Sequence, residues 1–195
     1  MASATSQNTD RNHIDRLCDA APNFQMLCRN AVLQRFAHIS GRKDATIREV
    51  AVWDEMFFAP NMAVILVAGK DLTIVLKAHF FPKKTEAHLT AGRSRKQIDD
   101  FFREFCNLAA GAIKQGLLER DVICGISLPT ILSGYDELIF SDRRRAGRKY
   151  DCFELAAGAF KCVLTVTVDC NSDKVFEGVA GVNREIRDNE EIEFL

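Results

Sequence analysis

No two cysteines in this sequence form a C-x-x-C pair, although seven are present: Cys18, Cys28, Cys106, Cys124, Cys152, Cys162 and Cys170. An odd set without close pairing argues against a zinc ribbon or a thioredoxin-like redox site. Several lie in apolar runs, as Cys162 does within 160–168, where a free thiol behaves as a small buried hydrophobe. This usage reads as a reduced, cytoplasmic protein. None of the histidines (His13, His38, His79, His88) has metal-ligand spacing to a cysteine or to another histidine. P-loop, G-x-G-x-x-G and G-x-S-x-G patterns are all missing, and Gly125-Ile-Ser127-Leu-Pro129 lacks the second glycine of a nucleophile turn. No apolar stretch approaches the roughly 20 residues of a membrane span. The polar segment from Met1 to Arg16 lacks the apolar core of a secretory signal. Charge bias is absent too: 26 Lys and Arg against 27 Asp and Glu leave a net charge of -1. There is thus no global electrostatic case for nucleic acid or a membrane as partner. The basic cluster Arg143–Arg145, Arg148 and Lys149 reads as a solvated loop, without the interleaved aromatics of a nucleic-acid surface.

What is present is a globular composition, 47% hydrophobic and 27% charged over 195 residues. That is enough chain for one domain with its own core. Residues 1–20, rich in Ser, Thr, Asn and Asp, read as a flexible extension. Residues 21–182 form the domain, and 183–195 an acidic tail. Phe24, Leu27, Cys28, Val32 and Phe36 recur at helical spacing and predict an amphipathic helix over 23–39, with Gly41 as its stop. Residues 45–58 predict a strand. The β-branched runs 62–68 and 72–81 flank Gly69-Lys70-Asp71 and predict a hairpin that Pro82 ends. Ser94 and Gln97 have capping-box spacing and open a long helix from 95 to 116 or slightly beyond. Further strands are predicted at 124–132, interrupted by Pro129, and at 136–140. A loop at 142–149 precedes a final hairpin, 152–157 and 160–168, turning at Gly158. The expected fold is α+β: a mainly antiparallel sheet, because its turns are short, with two long helices packed on it.

The second helix carries the chemistry. At about 100° per residue, Ile98, Phe101, Phe102, Phe105, Leu108, Ala109, Ala112 and Ile113 share one broad apolar face. Asp100, Glu104, Asn107 and Gly111 fall on the opposite face, spaced by four, three and four. Side chains so spaced are neighbours, roughly 5–6 Å apart at Cβ, so Glu104 and Asn107 point outward side by side. Gly111 costs the helix about 1 kcal/mol relative to alanine, which suits a stripe where a partner's backbone comes close. Lys96, Arg103 and Lys114 flank the stripe and suit an acidic partner. An exposed Glu and Asn are by themselves ordinary solvated residues, and E-x-x-N alone is a weak motif.

The stretch Asp100-Phe-Phe-Arg-Glu104-Phe-Cys-Asn107-Leu-Ala-Ala-Gly111 resembles the signature helix of the CheC, CheX and FliY phosphatases. In that family an Asp or Ser is followed by three residues, Glu, two residues, Asn, and a Pro about twenty-two further on. Asp100, Glu104 and Asn107 fit, and Pro129 follows after one residue fewer than usual. The segment 126–134 resembles the family's next strand, and the resemblance runs over roughly 22–172. CheC and FliY members carry the motif twice. Here the first helix has Leu27 where the Glu before Asn30 would stand, so the single motif is CheX-like.

The resemblance implies hydrolysis of the aspartyl phosphate of a CheY-like response regulator in chemotaxis or related two-component signalling. Asn107 would orient the attacking water, and Glu104 would pair with the regulator's active-site lysine. Asp100, Arg103, Gly111 and Lys114 would contact the partner. No cofactor belongs to this chain, since the Mg2+ would be the regulator's. CheX relatives also imply a homodimer through sheet edges. Two alternatives stay open: a catalytically weak CheX-like domain that only binds a regulator or signalling partner, and an unrelated interaction module with the same layout.

Overall fold

The computed structural model describes residues 16–50, 59–89, 92–133 and 148–171. In chain order its elements are α1 (Leu17–Ala20), α2 (Pro22–Ser40), β1 (Thr46–Glu49), β2 (Asn61–Gly69), β3 (Leu72–Phe80), α3 (Pro82–His88), α4 (Arg95–Leu118), β4 (Cys124–Ile126), β5 (Thr130–Ser133), β6 (Arg148–Ala157) and β7 (Phe160–Cys170). The strands join in one sheet of order β1-β6-β7-β3-β2-β4, with β5 also pairing to β2, and every strand pairing is antiparallel. The expected α+β class is the observed one.

Alternation along the strands decides where the core lies. Ile65 and Val67 of β2, Ile74 and Leu76 of β3, Phe153 and Leu155 of β6, and Leu164 and Val166 of β7 are all buried. Successive strand residues point to opposite faces, so these side chains converge on one face of the sheet. The long helices α2 and α4 pack against each other there and complete the core. Phe36 of α2 links the layers: its ring is stacked on Phe160 at 5.4 Å and meets Phe105 of α4 edge-on at 5.6 Å. Gly41 ends α2 with φ 69°, a left-handed conformation that glycine adopts without the usual Cβ penalty.

Several boundaries differ from the sequence reading. The packed body starts before residue 21. Leu17 is fully buried, and Arg16 bridges to Tyr150 and pairs with Glu49; residues 1–15 lie outside the described residues. Of the strand expected over 45–58, β1 forms at its start, and 51–58 lie outside the described residues. Pro82 ends β3 but also opens α3, since a proline at the first helical position lacks only an N–H that would have no helical partner. Arg148 and Lys149 are not loop residues: they begin β6, where Arg148 makes two 2.6 Å hydrogen bonds to Asp169 across the β6–β7 ladder. Arg143–Arg145, the strand expected at 136–140 and the tail 183–195 lie outside the described residues.

The expected strand 124–132 is divided. Val67 pairs with Ile126 and Val64 with Thr130, so Ile65 and Leu66 face three residues, Ser127, Leu128 and Pro129. One extra residue opposite two is a β-bulge. Ser127 clamps it: its N–H donates to the Leu66 carbonyl at 2.9 Å, and its hydroxyl accepts from the Leu66 N–H at 3.0 Å. Pro129 has no N–H to offer.

Candidate functional site

The site is built on α4, and α4 is held along its whole length. At its start Ser94 Oγ accepts from the Gln97 N–H at 3.4 Å, and Gln97 Oε1 accepts from the Ser94 N–H at 2.8 Å. Together they form the expected capping box. Along its underside the Phe102 ring stacks on Phe80 at 3.8 Å, and Phe101 meets Phe36 edge-on at 6.3 Å. Near its end α4 crosses α2 at Gly116, where a Cβ would come within 2.5 Å of Leu27 Cδ1. After Leu118 the chain turns back through Asp121 and Val122 N–H groups that donate to the Leu118 and Leu117 carbonyls. The buried face matches the predicted wheel except at Leu108, which is half-buried. Cys106 and Ala110 are buried in its stead. The seam is turned toward the sheet, where the Cys106 thiol lies 4.0 Å from the Ala63 carbonyl.

The opposite face carries the predicted stripe. Asp100 and Glu104 are exposed, and Asn107 and Gly111 are half-buried. The neighbouring charges are paired within the helix: Arg103 donates to Asp100 at 2.7 Å and Arg95 to Asp99 at 2.9 Å. Arg103 and Asp100, both expected to face a partner, therefore neutralise each other on the surface. Glu104 and Asn107 differ, making no hydrogen bond or ion pair with the described residues. Lys114 lies beside β4, where its charge opposes the effect of burial, which raises the Cys124 thiol above its usual range. A carboxylate and a carboxamide thus stand one turn apart on one helix with their hydrogen-bonding capacity unspent among the described residues.

Glu104 also borders a feature that sequence reasoning missed. An open groove of about 350 Å3 runs between the end of α2 and the first half of α4, lined by Ile39, Arg93, Gln97, Asp100, Phe101 and Glu104. It joins residues from two distant segments, so no local motif announces it. Among the described residues no three His, Cys, Asp or Glu side chains gather as a metal site. No described helix is long and apolar enough to cross a membrane.

No protein-family model matches the sequence, and no curated protein matches it. Solved structures do match the fold. A chain of the CheX-CheY-BeF3-Mg2+ complex from Borrelia burgdorferi superposes with a TM-score of 0.57 at 10% identity, over 76% of this chain and 98% of that one. A CheC-like superfamily protein from Shewanella sp. PV-4 gives 0.56 at 12% identity, over 75% and 97%. The FliM middle domain from H. pylori gives 0.53 at 13% identity, over 83% and 97%. The chain has the CheC-like fold.

Proposed function

We propose that this chain with a CheC-like fold is a CheX-like phosphatase that hydrolyses the aspartyl phosphate of a CheY-like response regulator. The observation that carries the reading is the E-x-x-N pair on the outer face of α4, which makes no hydrogen bond or ion pair among the described residues while Asp100 and Arg103 beside it pair with each other. The CheX-CheY complex among the fold's neighbours supports a CheY-like partner.

In the proposed reaction a water oxygen attacks the phosphorus, and the bond from phosphorus to the aspartyl oxygen breaks. The aspartate leaves as a carboxylate, and the water's proton goes to the departing inorganic phosphate. The transition state is loose and its charge is spread over the phosphoryl oxygens, so positioning and electrostatics do most of the work. Asn107 suits that task, because its amide oxygen accepts a hydrogen bond from water while its amide nitrogen donates to a phosphoryl oxygen. Glu104 pairs with a lysine of the regulator and anchors the insertion. The Mg2+ is the regulator's. A helix capped at its start and packed along its underside supplies the precise placement on which such catalysis depends.

A binding-only domain is the second reading. It draws on the shortened gap between Asn107 and Pro129 and on the bulge that Pro129 closes. The test is phosphate release from a Mg2+-loaded, phosphorylated CheY-like regulator, with wild type and Asn107→Ala side by side. Acceleration by wild type that Asn107→Ala abolishes is the expected result. A regulator that binds both forms and is dephosphorylated faster by neither moves the assignment to binding alone.

A further inference from the structure

We propose that the groove between α2 and α4 receives a charged segment of the partner regulator, with Arg93 pairing to a carboxylate there and Glu104 to the lysine, an inference that rests on the regulator reading above. The lining is mostly polar: Arg93, Gln97, Asp100 and Glu104 against Ile39 and Phe101. Two of the four polar side chains are already committed. The Gln97 amide oxygen accepts from the Ser94 N–H, and the Asp100 carboxylate is paired with Arg103. Arg93 and Glu104 make no hydrogen bond or ion pair among the described residues. They stand too far apart to serve each other: at about 1.5 Å per residue their separation along the helix is roughly 16 Å, against about 4 Å for an ion pair. A ligand that satisfies both carries an anion and a cation at that spacing, which takes about five residues of extended chain. That is the scale of a protein surface, not of a small zwitterion.

Position and sign tie the groove to the same partner. Glu104 belongs both to the groove and to the stripe. A standard interface covers about 800 Å2 of each partner, roughly a disc of 16 Å radius, so a regulator centred on Glu104 reaches Arg93. Arg93 stands at the positive end of the α4 dipole, whose first turn holds no acidic residue and includes Lys96. Cations there work against the helix, and an incoming carboxylate offsets them. Opposite signs at the two ends also fix the direction of docking, since a reversed regulator would meet like charge at both. Arg93 is remote from the reacting atoms and acts in binding, so its loss raises KM and leaves kcat unchanged.

Charge at position 93 is the variable to test. Arg93→Ala removes it, Arg93→Glu reverses it and Arg93→Lys keeps it. Lys70→Glu lies in the β2–β3 turn beside β4, which follows the far end of α4, and changes the net charge by as much as Arg93→Glu. Kd is measured with a regulator carrying Mg2+ and BeF3−, a phosphoryl mimic that is not turned over. KM and kcat are measured with the phosphorylated regulator, and circular dichroism and melting confirm folding. At low salt Arg93→Ala is expected to raise Kd and KM about threefold and Arg93→Glu about tenfold, with kcat unchanged. Arg93→Lys should stay near wild type and Lys70→Glu should have no effect. At about 1 M salt, where the Debye length falls to about 3 Å, the differences should shrink. Unchanged Kd in Arg93→Ala and Arg93→Glu overturns the contact. So does an equal rise in Lys70→Glu, or a difference that high salt leaves intact. Absence of turnover by wild type overturns the phosphatase reading instead, and the Kd comparison still decides Arg93. A wild-type protein that does not bind the regulator overturns both.

Discussion

Asp100, Glu104 and Asn107 share one stripe of α4, yet of the three only the last two have no hydrogen-bond or ion-pair partner among the described residues. Their substitution should therefore separate chemistry from folding. Glu104→Ala is expected to reduce dephosphorylation steeply and Asn107→Ala to abolish it, each with a stability change below about 0.5 kcal/mol in urea titration, as for surface positions. Asp151 presents the opposite case. It is 5% exposed, accepts from Gln25 at 2.8 Å, and is held by Arg29 through bonds of 2.8 and 2.6 Å. The Arg29 guanidinium also lies over the Phe153 ring. Asp151→Ala leaves a partly buried guanidinium without its counter-charge, for which losses of about 3–5 kcal/mol are usual. A urea midpoint within error of wild type would show that Arg29 regains water at no cost.

At the scale of elements, α4 rests on local and non-local supports of different strength. Ser94→Ala removes the hydroxyl half of the capping box and should lower stability by about 1 kcal/mol. Gly116→Val drives a branched side chain into Leu27 and should cost about 1–3 kcal/mol. Thermal melts of both variants check the order. The same division explains what could be read from the sequence. The cap, the apolar face and the E-x-x-N stripe are near-neighbour patterns within one helix, and they stand where the spacing places them. So do the two hairpins, whose alternation and turn residues are local. Pro82 is ambiguous by chemistry, since one residue can end a strand and open a helix, and α3 is not legible. The Arg29–Asp151 pair spans 122 residues, and the groove needs Ile39 beside Phe101. Neither has a periodic signature, because only folding brings the parts together. The bulge is half legible: Pro129 marks the interruption, but the Ser127 clamp depends on Leu66 across the ladder.

For the molecule as a whole, all seven cysteines are free and five are buried. Burial raises the Cys106 and Cys152 thiols to about 12 and pushes up those of Cys28 and Cys162 as well. The unfolded chain, with thiols near 9.0, loses these protons first. The stability these thiols contribute is therefore fully present below about pH 9 and is lost as the pH rises toward 12. Urea midpoints measured from pH 8 upward should decline, and Cys→Ala changes at 106 and 152 should flatten the decline. The bulge has a consequence at this scale too. Among the described residues one rim of the sheet is cut into stubs of three and four residues, β4 and β5, with a proline between them. An unbroken row of main-chain donors and acceptors there would invite strands of other chains to add on. Beside Leu128 and Ile123, 87% and 79% exposed, such a row would be a starting point for precipitation. Deleting one residue from 127–129 would restore a continuous rim, and light scattering at rising concentration should then show the irregularity to be what keeps the protein dispersed.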